Sequence, residues 1–217
     1  MTPHHSTTPT TFPEFFTDAP TLRVYDPLAE FLGAAADGII EYRYADAVRL
    51  AGHSCPTVAG AYLMVVHALR ALYGEALPER GGVEAWMRGG REEGTTGVTA
   101  AIVTLLTGAA AETGFGGVGP GHRFSRRNLL HYDADITGSL ALRRRDNSAG
   151  VQVNCHPALV PPDAAMQTLM PKAIGGQATP AEQQRFAALW QARVRAMLID
   201  HAHDPQLIEV SPWAAPA

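Results

Sequence analysis

The sequence predicts a single α+β domain in which an antiparallel sheet packs against helices. Three observations predict it: a long apolar helix pattern after Pro56, an alternating hairpin pattern around residue 146, and a well-capped C-terminal helix. The 217 residues are 46% hydrophobic, enough to bury a sizeable core without dividing into two domains. Residues 1–20, rich in Thr, Pro and His, are expected as a loose arm. Residues 21–204 are expected to form the domain, and 205–217, marked by Pro205, Pro212 and Pro216, a tail.

Asp26-Pro27 has the form of an N-cap followed by proline in the first helical position, opening a short helix through Leu28, Phe31 and Leu32. Gly38 interrupts it. Tyr44 to Leu50 predicts a second short helix, ended by Gly52. From Pro56 to Tyr73, Val58, Tyr62, Val65, Val66 and Leu69 recur every three to four residues, so this helix needs a partner surface; Gly74 closes it. The glycines at 81–82, 89–90 and 114–121 mark loops, with a helix carrying Val98, Ile102, Leu105 and Leu106 between the last two. Leu140 and Leu142 then alternate with Ala141 and Arg143, and Asp146 to Gly150 is turn material. Val151, Val153 and Cys155 share one face of the returning strand. In the C-terminal helix Thr179, Pro180 and Glu182 form a capping box, ahead of an apolar face of Phe186, Leu189, Trp190, Val194 and Met197.

Composition narrows function. Formal charge is −4 at pH 7, and the basic runs Arg126-Arg127 and Arg143-Arg144-Arg145 are too short for a nucleic-acid stripe, so they are expected in solvated turns or a wet strand edge. No stretch approaches the roughly 20 apolar residues of a membrane span, and the start Met1-Thr2-Pro3-His4-His5 has no secretion-signal pattern. The expected location is the cytoplasm, where Cys55 and Cys155 stay reduced.

The chemistry concentrates in Gly52-His53-Ser54-Cys55-Pro56, where an imidazole and a thiol meet the start of a helix. A helix N-terminus favours negative charge, hence the thiolate form of a cysteine placed there. Thiolate and neutral imidazole are the usual ligands of zinc. The expected metal set is therefore His53 and Cys55 completed by Cys155 and His122, holding zinc or another transition metal, with His156 and His131 as alternatives. His67, about 18 Å along the same helix at 1.5 Å per residue, is a poor candidate. His201 and His203, flanked by Asp200 and Asp204, form a weaker second candidate, since histidines at a helix end commonly serve as solvated caps. Burial of a structural cysteine is the bland competing reading, and a metal-free thiol nucleophile is the third. No Gly-x-Ser-x-Gly, phosphate-binding loop or His-Glu-x-x-His is present. The run Gly114 to Gly121 is expected as a loop near the site.

The stretch Ala45 to Gly60 resembles the start of the domain that defines the formylmethanofuran dehydrogenase E-subunit family. That family's His-Gly-His-x-Cys-Pro signature places its second His and its Cys on His53 and Cys55, and a later glycine on Gly60. The family's first His falls on Ala51. Leu106-Thr107-Gly108 resembles its Val-Thr-Gly-Cys segment, with Ala109 at the Cys position; Arg127-Asn128-Leu129 and Gly176 to Glu182 match later stretches. The resemblance spans roughly residues 25 to 202. It implies an α+β domain, often dimeric, that binds zinc or a related metal. It also implies an accessory role beside an oxidoreductase partner subunit as one alternative, and a homodimer as the expected assembly. The resemblance assigns no reaction, and whether the protein is an enzyme stays open on the residues alone.

Overall fold

A computed structural model describes residues 12–214. Its larger sheet has the order β4-β3-β5-β6-β7, from β3 (Val83–Met87), β4 (Leu130–His131), β5 (Leu140–Arg144), β6 (Gly150–Cys155) and β7 (Ile208–Pro212). All neighbours are antiparallel except β3 and β4, which pair in parallel over two residues, Ala85 with Leu130 and Trp86 with His131. A separate antiparallel pair joins β1 (Leu22–Tyr25) to β2 (Ile39–Tyr42). Helices α1 (Pro27–Phe31), α2 (Tyr44–Ala51), α3 (Pro56–Tyr73), α4 (Thr96–Thr107), α5 (Met166–Ile174) and α6 (Pro180–Arg195) complete the α+β architecture.

Helix α3 is the centre of the molecule. It packs on β5, β6 and β7 on one side and on α2 and α4 on the other. Val58, Ala59, Tyr62, Leu63, Val65 and Ala68 lose all solvent contact. Each fully buried Val or Leu side chain there contributes about 1.5–3 kcal/mol. The periodicity predicts an amphipathic helix; the structure shows one buried nearly all round, the pattern of a helix sandwiched between layers. Its bounds match the sequence reading, with Gly74 as C-cap, and α2 ends at Gly52, which takes a left-handed conformation at φ 75°.

The expected hairpin forms, with Leu140 opposite Val153 and Leu142 opposite Val151. At α6, the Thr179 hydroxyl accepts the Glu182 N–H and the Glu182 carboxylate accepts the Thr179 N–H, closing the capping box. Two expectations at the ends are revised by the described residues. Glu14–Thr17 forms a 3-10 turn that buries Phe16 against Tyr44, while residues 1–11 of the expected arm lie outside the described residues. Beyond Pro205, the segment expected as a tail supplies β7, with Val210 opposite Val153. A strand ending in Pro212 is tolerated because it lies at the sheet edge.

The Asp26 cap is present, its Oδ1 accepting the N–H groups of Leu28 at 2.9 Å and Ala29 at 3.2 Å. The same carboxylate pairs with Arg80 at 3.0 Å and Arg126 at 2.8 Å. Arg126 is thus a core residue, 6% exposed, and not part of a solvated turn. Arg143 pairs with Glu84, and Arg144 lies over the Tyr73 ring at 4.1 Å.

Candidate functional site

The site begins with the short link between α2 and α3. Gly52 turns the chain out of α2, and Ser54 is then clamped by α6: its carbonyl accepts Trp190 Nε1–H at 3.0 Å and Gln191 Nε2–H at 3.2 Å. The Ser54 hydroxyl donates to Gln191 Oε1 at 3.0 Å and accepts the Tyr44 hydroxyl at 2.9 Å. Both neighbours of Ser54, His53 and Cys55, are therefore carried on a fixed backbone. Neither Ser54 nor Gln191 stands out in the sequence, because the two partners lie 137 residues apart.

Cys55 is the N-cap of α3. Its Sγ accepts the Val58 N–H at 3.4 Å, one of the backbone donors a helix start leaves without an internal partner. His53 turns the other way, its Nδ1 donating to the Ala51 carbonyl at 2.9 Å on the exposed surface. A carbonyl can only accept, so Nδ1 carries the proton and Nε2 is left as the acceptor.

Cys155 sits at the end of β6 with its sulfur on Gly60, one turn into α3. A Cβ at Gly60 would lie 2.8 Å from that sulfur. The glycine matters here for close approach, which lets a strand and a helix meet over a thiol. Burial pushes the Cys155 thiol up to about 11, so it is neutral near pH 7.

These elements line an open cavity of about 740 Å³, with His53, Cys55 and Cys155 all in its wall. Its other walls are Thr57 and Met64 of α3, Met87 and Arg88 at the end of β3, and Thr95, Thr96 and Thr99 at the start of α4. Trp190 and Arg193 of α6 close it. Arg193 holds the Val160 carbonyl through Nε at 2.7 Å and the Pro157 carbonyl at 3.0 Å. Arg88 donates to the Thr137 carbonyl at 3.1 Å. Two guanidiniums face one carboxylate, Glu93, which already accepts the Gly90 N–H at 3.0 Å.

The expected metal set does not assemble. Among the described residues no three His, Cys, Asp or Glu side chains come together as a group able to hold a metal ion. The reading of a zinc or other transition-metal site at His53, Cys55, His122 and Cys155 is therefore corrected. The donors explain why. His122 lines a different cavity, its Nδ1 bonded to the Gly116 carbonyl at 2.9 Å. The His53 ring folds back to the Ala51 carbonyl. Ala51 and the fully buried Ala109 stand where the resembled family has its first His and later Cys.

The alternatives are also engaged elsewhere. His156 pairs with Glu209 at 3.0 Å, and His131 stacks on Trp86. His201 caps against Asp204 at 3.0 Å, and His67 donates Nε2–H to the Ala202 carbonyl at 2.7 Å. The glycine loop from 114 to 121 lies away from this cavity: none of its residues lines it, and Gly114 and Gly116 approach Arg126 and Arg127.

No family model and no curated protein matches the chain. Among solved structures, the chain is similar to a tungsten formylmethanofuran dehydrogenase E-subunit-like protein from Syntrophus aciditrophicus. Identity is 15%, coverage 81% of this chain and 74% of that one, and the TM-score 0.42. No helix among the described residues is long and apolar enough to cross a membrane.

Proposed function

We propose that the chain binds a small organic molecule in the cavity at the start of α3 and acts on it through the Cys55 thiol, without a metal. The observation that carries this reading is the Cys55 sulfur itself. It sits at the N-terminus of an 18-residue helix, accepts a backbone N–H, and opens onto a cavity of about 740 Å³. A cavity of this size fits the range of small-molecule sites, and a helix start stabilises negative charge on a nucleophile. The wall supports the same reading: apolar Met64, Met87 and Trp190 supply contact area, while Thr95, Thr99, Arg88 and Arg193 supply hydrogen bonds that orient a ligand. Cys55 is the more buried of the two cysteines by solvent exposure, so what favours it is its place at the helix start on the cavity wall, while desolvation of the Cys155 sulfur raises that thiol to about 11.

Alkylation with iodoacetamide near pH 7, located by peptide mass spectrometry, tests the reading. Cys55 is expected to be modified at least about tenfold faster than Cys155, since the thiolate is the reacting species. Cys55→Ser is expected to abolish the fast phase and Cys155→Ser to leave it intact. A Cys55 no faster than Cys155, or inert until the protein is unfolded, rules the proposal out.

A further inference from the structure

A second cavity, of about 400 Å³, lies where the 122–126 segment meets the Arg80-Gly81 turn, and it has a different character. Arg80, Arg123, Arg126 and Arg145 line it, together with His122 and Ser125. Among the described residues the only acidic one in its lining is Glu79, and Asp26 adds a second carboxylate behind the arginines. We propose that this cavity is an anion site that takes the phosphate group of a phosphorylated molecule, independent of the thiol cavity.

The charge arrangement leads to this. Asp26, 3% exposed, is shared by two guanidiniums, so one buried carboxylate serves two cations. Arg80 satisfies its remaining donors on the carbonyls of Leu105 and Thr104. Arg126 reaches the Arg80 carbonyl but keeps a buried Nε with no partner among the described residues. Buried charges in proteins are normally paired, and here the positive side is in surplus. Arg145 adds to it, its only side-chain hydrogen bond among the described residues going to the Gly81 carbonyl at 3.0 Å. Arg123 forms no salt bridge among the described residues; its guanidinium lies 4.3 Å from the Phe124 ring centroid and 5.3 Å from that of Phe31. Planar guanidinium forks match phosphate oxygens in pairs, which is why clusters of them recognise phosphate.

The space and the rim define the rest of the ligand. The volume exceeds what a single phosphate needs, so there is room for an organic remainder. Beside Arg123 stand the Phe31 and Phe124 rings, 5.3 Å apart, with Phe31 53% exposed and Leu32 64% exposed. An exposed aromatic shelf next to an arginine-lined cavity suits a phosphate carried on an apolar or planar group. Two sources share that chemistry: a soluble phosphate monoester and the headgroup of an anionic lipid.

Calorimetric titration of the full chain with inorganic phosphate at constant ionic strength is the test, with adenosine monophosphate as a soluble ester. Sedimentation with phosphatidylcholine vesicles, with and without phosphatidic acid, is the lipid arm. Saturable phosphate binding is expected at one site. Arg123→Ala and Arg145→Ala, at exposed positions, are each expected to weaken it about tenfold, the loss of one charge-assisted hydrogen bond. Phe31→Ala is expected to reduce only the advantage of the ester or lipid over inorganic phosphate. Tighter ester binding assigns a soluble ligand, and sedimentation only with phosphatidic acid assigns a lipid surface. Cys55→Ser should leave all of this unchanged, so failure here and failure of the thiol reading are told apart. Absence of phosphate, ester and vesicle binding overturns the proposal, as does binding that both arginine variants retain.

Discussion

Gly60→Ala isolates the contact that joins the two halves of the thiol cavity. Gly60 is inside α3, where glycine ordinarily costs about 0.5–1 kcal/mol relative to alanine. Helix propensity alone therefore predicts that the substitution stabilises. The structure predicts the opposite sign, because the new Cβ would lie 2.8 Å from the Cys155 sulfur. Next come Cys155 Cβ at 3.5 Å and Met197 Cε at 3.9 Å, ordinary contact distances. Overpacking a close core contact costs about 1–3 kcal/mol, which outweighs the propensity gain. In a Cys155→Ala background the obstructing atom is gone, and Gly60→Ala should become neutral or stabilise by up to about 1 kcal/mol. Urea unfolding of the four proteins of this double-mutant cycle measures the coupling directly. In a chain of this length each kcal/mol is also worth about 2–4 °C in Tm. Equal destabilisation in both backgrounds would refute the reasoning, since the sulfur would not then be what keeps position 60 small.

Three further outcomes follow from buried titratable groups. Asp26→Asn leaves Arg126 without its carboxylate and should cost about 3–5 kcal/mol in denaturant unfolding, as removal of one partner of a buried pair does. Burial pushes the Asp26 carboxyl up, but Arg80, Arg126 and two helix N–H groups outweigh it and hold the carboxyl below its ordinary value. That stabilisation is present above the ordinary carboxylate range and is lost as pH falls through it to the lower folded value; Asp26→Asn should therefore flatten the acid limb of the stability profile. Cys155 has the opposite sign: with its thiol raised to about 11, stability is complete below its ordinary value of 9.0 and falls as pH rises between the two. Cys155→Ala should remove that alkaline loss.

Much of the fold is legible because its signals are local. Asp26-Pro27, Gly52, Gly74 and the Thr179-Pro180-Glu182 box each act within one turn of the helix end they define. The turn between Arg144 and Gly150 likewise fixes the register of the strands it joins. Other elements are hidden for physical reasons. Strand β3 does alternate, Val83, Ala85 and Met87 facing in, but five residues between glycine pairs are too short a run to stand out in the sequence. Strand β7 ends in a proline, and nothing near it reveals that Val153 is its partner. The site is partly legible: His53, Cys55 and Cys155 do share a cavity, because the helix start and the strand face are both local features. Order along the chain carries no information on which side of the fold the 122–126 loop settles, so the sequence groups His122 with them although it lines the other cavity. Arg126 illustrates the same limit, since its carboxylate lies 100 residues away.

Cys55 is, on this account, a reactive thiol on the wall of a cavity that takes a small organic molecule, with Arg88 and Arg193 beside it. Comparing the alkylation rates of Cys55 by iodoacetate and by iodoacetamide, each normalised to glutathione, tests that most directly. Arg88 and Arg193 face a single acidic residue in the wall, so the anionic reagent should be favoured, and Arg88→Ala should reduce that preference. A normalised ratio at or below unity, or label that settles on Cys155 while Cys55 stays unmodified, contradicts the account.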